Sequence, residues 1–312
     1  MNFRTRLQLD RSPQLIAPPD QLLGMGSCFA DQMGAMLDRY KFKIAQNPFG
    51  VLFNPLAISR WFDPALTLPE SGVVALDGAY AHLWAHSAWC APTHEAVLDR
   101  LYQAHARFHD TLARVRWLLL TWGTAWVYDH PSAGTVANCH RQPAAHFQKR
   151  LLSVSEVLQA TETILDALPA QAQIILTVSP VRYLRDTLPL NAVSKSVLRL
   201  AAHQWEQAEA RVHYFPAYEL LLDDLRDYRF YADDLLHPSA MARQYIWERF
   251  TESWLSLEAQ EQVTAWESIR RRLEHRPRQA GSPTHQAFVA QLKKDLQQWA
   301  HRCDISKEWD QI

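Results

Sequence analysis

SVSEVLQATETILDALPAQAQIILTVSP, residues 153–180, holds two periodicities in one run. Its first part spaces apolar residues as a helix does, and Ser153 stands three residues before Glu156, the capping-box signature of a helix start. Its second part, AQIILTVSP (172–180), is a short apolar run that stops at a proline. Upstream, VRWLLLTWG (115–123) has the same form and stops at a glycine. Runs that are apolar on both faces belong at the centre of a parallel sheet, where helices cover both sides. Strand, helix, strand in this order predicts a parallel βαβ unit.

The alternation continues in both directions. DQLLGMGS is strand-like and CFADQMGAMLDRY helix-like. KSVLRLAAHQWEQAEA predicts a helix before the strand-like VHYFPAY, and SAMARQYIWERF predicts another helix with Pro238 or Ser239 near its start. The expected fold class is α/β, a three-layer α/β/α sandwich with a mostly parallel sheet. Ligands of such sheets bind at the carboxyl ends of the strands, which puts GSC, TWGTAW and TVSPVR on one edge. From about Leu255 the pattern changes to charged helices joined by RPRQAGSP. The expected division is an α/β domain over 1–254 and a helical extension over 255–312. The basic run Arg270 to Arg272 reads as a solvated helix face, because acidic residues are interleaved.

Composition narrows the partners. With 32 Lys+Arg against 33 Asp+Glu in 312 residues, nothing argues for nucleic acid or a membrane surface, and a small substrate is the expectation. No apolar run approaches the roughly 18 residues of a membrane span. The N-terminal stretch mixes acidic and basic residues without an apolar core, unlike a secretory signal. Cys28, Cys90, Cys139 and Cys303 form no CxxC pair, so neither a zinc site nor a disulfide framework is expected, and a reducing cytoplasm fits.

Chemistry gathers at GMGSCFADQMG (24–34), where a strand hands over to a helix. As a phosphate loop it is weak: Gly24-x-Gly26 lacks the third glycine of a dinucleotide fingerprint, and no Gly-Lys-Ser/Thr follows. As a nucleophile turn it gains support from DDLLHPS, in which Asp234-x-x-His237 precedes a helix. A base must be oriented by a third group, and a short Asp-x-x-His loop can fold its carboxylate onto one ring nitrogen while the other faces outward.

Gly26-Ser27-Cys28-Phe29-Ala30 is the motif that names the GSCFA family. NPFGVLFNP (47–55), GTAWVY (123–128), VANCHRQP (136–143), LLSVSE, TVSPVR (177–182), SKSVLR (194–199) and DDLLHPS resemble it too, over residues 3–250. The family is similar to the SGNH (GDSL-like) hydrolases, which cut or transfer acyl esters. That resemblance implies a flavodoxin-like sheet and a nucleophile at the third position of the first block, here Cys28, with Ser27 as the second candidate. A helix N-terminus also favours a thiolate. His237 would be the base and Asp234 its orienting carboxylate. The resemblance further implies oxyanion donors at the Cys28 N–H and at Gly50. The third block departs from it: Gly123-Thr124-Ala125 stands where Gly-x-Asn would supply an amide. Thr124, Asn47 and Asn138 are candidate replacements.

Weaker candidates complete the list. His82 and His86 have a helical metal spacing without the intervening Glu, so packing is favoured, with His86 lining a pocket. Asn138-Cys139-His140 reads as loop structure rather than a metal site. Arg182 and Lys195 could grip an anionic group of the substrate. The expectation is an esterase or O-acyltransferase working on a carbohydrate or other small acylated substrate. It needs no cofactor or metal beyond a possible acyl-CoA donor; a non-catalytic binding module of the same fold is the alternative.

Overall fold

The computed structural model describes residues 4–276, 279 and 281–310. Residues 1–3 of the N-terminal stretch and residues 277, 278 and 280 of RPRQAGSP lie outside the described residues. The chain begins with β1 (Gln21–Gly26), α1 (Cys28–Arg39), β2 (Lys43–Gln46) and the short α2 (Pro55–Ser59). A hairpin of β3 (Val73–Leu76) and β4 (Ala79–His82) leads into α3 (His94–Leu112) and β5 (Trp117–Trp122). Three short strands follow, β6 (Trp126–His130), β7 (Gly134–Val136) and β8 (Gln148–Leu151), then α4 (Val154–Ala167) and β9 (Gln173–Val178). Next come α5 (Thr187–Ala208), β10 (Val212–Tyr214), the single turn α6 (Ala217–Glu219) and α7 (Ala240–Trp254). The chain closes with α8 (Leu257–Leu273), α9 (Pro283–Trp299) and α10 (Ser306–Trp309).

Five strands form one parallel sheet in the order β10-β9-β5-β1-β2. The order reverses between β1 and β5, so the flavodoxin-like switch point lies at the carboxyl end of β1. Every residue of β5 and β9 is buried, which is why both read as unbroken apolar runs. Alternate residues of β5 serve opposite cores: Leu118, Leu120 and Trp122 pack with α3, α4 and α5, while Trp117 and Leu119 pack with α1 and α7. This is the three-layer α/β/α arrangement. The capping box of α4 closes in both directions, Glu156 N–H donating to Ser153 Oγ at 3.2 Å and Ser153 N–H donating to Glu156 Oε2 at 2.8 Å.

The C-terminal helices pack into the core on the α1 side of the sheet. Trp266 and Ile269 of α8 and Leu292 and Leu296 of α9 share one core with Phe29, Met33 and Leu37 of α1. Polar contacts fix the seam: Tyr40 donates to Glu267 at 2.9 Å, and Lys41 pairs with Glu308 at 2.8 Å. Arg270, Arg271 and Arg272 pair with Glu274, Glu267 and Asp295, respectively; Arg271 is solvated as expected, while Arg270 and Arg272 are partly covered, Arg272 reaching across to α9. No helix among the described residues is long and apolar enough to cross a membrane.

Candidate active site

The turn between β1 and α1 explains its own sequence. Gly26 adopts φ +136°, and a Cβ there would lie 2.1 Å from the carbonyl oxygen of Thr121 on β5, so no side chain fits. Its N–H donates to Asn47 Oδ1 at 2.8 Å. Ser27 is buried and caps α1, its Oγ accepting from Phe29 N–H at 3.3 Å. The next residue, Cys28, opens the helix at the switch point, half-buried.

The second component arrives from the loop before α7. His237 Nε2 lies 3.6 Å from Cys28 Sγ, and its Nδ1 lies 2.6 Å from Asp234 Oδ2. The other carboxylate oxygen, Asp234 Oδ1, accepts the backbone N–H groups of Leu236 at 2.9 Å and His237 at 3.0 Å. The tetrapeptide therefore orients its own imidazole, at the cost of Leu235 standing at φ +58°. Outside it, Ala232 N–H donates to the His237 carbonyl at 2.8 Å. The Arg182 guanidinium stacks 4.0 Å from the Tyr231 ring centroid and 5.1 Å from that of Tyr228, bracing the loop from behind.

The local electrostatics differ from those of a free helix N-terminus. Burial and then the Asp31 carboxylate push the Cys28 thiol up, against the pull of Lys195 and of the backbone N–H groups of Cys28 and Phe29. Desolvation and an acid one turn along the helix therefore work against the thiolate that the helix end favours. Hydrogen bonds from His237 backbone and side chain and from Leu236 hold Asp234 down to about 2. Lys195 is fully buried, and burial lowers it to about 7 against the favourable charge of Cys28. Its Nζ donates to the carbonyls of Gly123 and Ser179, each at 2.7 Å, bridging the ends of β5 and β9.

The GSCFA family model matches residues 21–250, most of the chain. The chain belongs to the GSCFA family. A second model, GSCFA domain protein, C-terminal domain, matches residues 266–312. No curated protein matches. One similar solved chain is described as "The structure of a putative platelet activating factor from Streptococcus pneumonia", with 13% identity and a TM-score of 0.38 over 75% of this chain and 83% of that one.

Within this GSCFA chain the remaining expected residues take other places. Gly50 donates its N–H to the Asn47 carbonyl at 2.7 Å, and a Cβ on it would lie 2.2 Å from the His86 Cβ, so its missing side chain makes room for His86 rather than for substrate. Asn47 spends its amide on Gly26 and on Asp31, to which Nδ2 donates at 2.6 Å. Thr124 is buried, with its Oγ1 3.0 Å from Ser194 Oγ. His86 caps a short turn through Ala88 N–H at 3.2 Å. His82 sits on β4 rather than a helix, buried and held near 4 chiefly by desolvation, its Nε2 3.1 Å from the Pro69 carbonyl. His140 is buried, with Nε2 2.9 Å from the His82 carbonyl. Lys195 lies inside the fold rather than at a surface that meets substrate.

A cleft of about 500 Å3 opens on the same edge of the sheet, lined in part by Phe53, Thr124, Trp126, Asn138, Tyr183 and Arg185. It adjoins the turn between β1 and α1 through Gly123: a Cβ there would lie 3.3 Å from both the Phe53 ring and Ser27 Cβ. Of the expected donors, Thr124 and Asn138 reach this cleft. Arg185 was not anticipated, and its only signal was a basic residue close behind the TVSP strand end.

Proposed function

We propose that the protein is an SGNH-like acyl-ester hydrolase or O-acyltransferase that works through a thioester on Cys28, on a carbohydrate or other small acylated substrate. One observation carries the reading: a cysteine at the switch point lies 3.6 Å from an imidazole that a carboxylate grips at 2.6 Å on its far side. Cys28 Sγ attacks the ester carbonyl as its proton passes to His237 Nε2. The tetrahedral intermediate then breaks its C–O bond, and the imidazolium returns that proton to the departing alkoxide. In the second half His237 takes a proton from water, for hydrolysis, or from an acceptor hydroxyl, for transfer. That oxygen attacks the thioester, and Sγ leaves with the proton restored.

The raised thiol suits this scheme, because attack is coupled to a base rather than to a standing thiolate. Asp234, ionised down to about pH 2, steadies the imidazolium throughout. Developing charge on the carbonyl oxygen meets the Cys28 N–H in the first turn of α1. The scheme calls for no cofactor, and an acyl-CoA can serve as donor in the transferase version. It goes with a reducing cytoplasm, where Cys28 stays free.

The test is intact-mass spectrometry with peptide mapping after brief exposure to an activated short-chain acyl ester. An acyl group is expected on Cys28, absent in Cys28→Ala and formed slowly in His237→Ala. An adduct on Ser27 instead would move the nucleophile by one residue. No adduct and no turnover would leave a non-catalytic binding module of this fold.

A further inference from the structure

The cleft that Phe53 and Gly123 join to the β1–α1 turn has a definite chemistry of its own. Its volume, about 500 Å3, lies in the range of small-molecule sites. Rings of Phe53, Trp126, Tyr128 and Tyr183 supply flat apolar walls, and Arg141 and Arg185 supply guanidinium groups. No aspartate or glutamate is among the described residues that line it. Two acids beside its arginines have cationic partners: Asp186 pairs through Oδ1 with Lys149, whose ammonium lies 4.7 Å from the Trp126 ring centroid, and Asp77 pairs with Arg141 at 3.0 Å. The Arg141–Asp77 pair is highly exposed on both sides and so is weak and easily exchanged for another anion. Arg185 has the Tyr183 side chain as its first partner rather than a carboxylate. The cleft therefore keeps a positive field over aromatic walls.

A simple acyl chain has no use for two guanidinium groups, and a neutral sugar would crowd them without an anion to meet. A sugar ring that carries an anion satisfies both parts: its C–H face packs on the aromatic rings, and its carboxylate or phosphate accepts the paired N–H groups of arginine. We infer that the alcohol portion of the substrate is an anionic sugar, bound across the Phe53–Tyr183 cleft with its negative group at Arg185 and Arg141. This inference rests on Cys28 as the acyl acceptor and adds the chemistry of what the acyl group leaves or joins. The roles expected for Arg182 and Lys195 in gripping an anion pass to Arg185 and Arg141, because the first braces the histidine loop and the second is buried.

Binding separates this inference from the reaction. Titration calorimetry on the Cys28→Ala protein would compare glucuronic acid, glucose 6-phosphate and glucose. At least one anionic sugar is expected to bind about tenfold or more tightly than glucose, an advantage of the size one well-formed charge-assisted contact gives. In Arg141→Gln/Arg185→Gln that advantage should fall below about threefold, and added salt should shrink it in the wild type. Which sugar wins tells carboxylate from phosphate. Equal affinity for all three, no binding of any, or an advantage that survives the double substitution overturns the inference. A protein that binds the anionic sugar but takes no acyl group keeps it and loses the thioester; one that acylates Cys28 yet treats the three sugars alike does the reverse.

Discussion

The turn that carries Cys28 and the loop that carries His237 meet across 3.6 Å but are built in opposite ways. The turn is fixed by the sheet: Gly26 is wedged on Thr121, Ser27 is buried as a helix cap, and Asn47 latches Gly26 to Asp31. The loop is half-exposed and holds itself, through three hydrogen bonds that the Asp234 carboxylate accepts from Leu236 and His237 and a brace from Arg182. A thiol placed by tertiary structure and an imidazole placed by local structure respond differently to damage. Substitution in the turn should cost stability, and substitution in the loop should cost only rate.

The largest expected effect tests the loop. His237→Ala removes the proposed base and should slow Cys28 acylation by about a thousandfold. Its unfolding free energy should stay within about 0.5 kcal/mol of wild type, as for other surface changes. A large stability loss would break the comparison. Gly26→Ala tests the other side. Its Cβ would be driven into the Thr121 carbonyl at 2.1 Å, in a backbone region that side chains avoid. A loss of at least about 3 kcal/mol in urea unfolding is expected. A variant with wild-type stability would show the turn to be softer than its geometry.

Lys195→Met comes next, because it touches both halves. It leaves the Gly123 and Ser179 carbonyls without their donor, a loss of about 2 kcal/mol. It also removes a cation that favours the Cys28 thiolate, so iodoacetamide labelling of Cys28 should need higher pH than in wild type, whose own labelling should still be rising at about pH 9. A plateau near neutrality in the wild type would mean a standing thiolate. The linkage has a definite sign. Lys195 is lowered to about 7, so above that value the unfolded chain holds a proton the folded one has lost. Between about pH 7 and about 10 wild type should gain stability with rising pH relative to Lys195→Met, a window that closes as the unfolded lysine itself loses its proton.

What the sequence disclosed follows the same divide. β5 and β9 were legible because burial on both faces leaves an unmistakable apolar run. The edge strand β2 and the β7-β6-β8 sheet were not, since short half-exposed strands carry polar residues that resemble loop. In the site, Cys28 and Asp234-x-x-His237 could be read from local spacing. Lys195 could not, because nothing in SKSVLR reveals that one lysine of a helix lies under two strand ends. Gly50 and Asn47 misled for a related reason: their amides are spent on partners brought in by folding. The raised thiol was partly readable, since Asp31 stands three residues after Cys28 on the helix, but the burial that leads the shift was not.

The smallest effect is the sharpest test of how self-sufficient the loop is. Arg182 makes no contact with Cys28; it lies against Tyr231 and Tyr228 and donates its backbone N–H to the Leu236 carbonyl at 3.2 Å. A guanidinium over one buried and one exposed aromatic ring contributes about 1 kcal/mol, so Arg182→Ala should slow acylation by about fivefold. Arg182→Lys should recover little of this, because an ammonium does not stack as a planar fork does. If the slowing appears while Asp234 still holds the loop, the base is positioned by two layers, the tetrapeptide and its aromatic backing. If neither variant changes the rate, the hydrogen bonds of Asp234 alone suffice, and the contrast between a turn set by the sheet and a loop set by itself becomes complete.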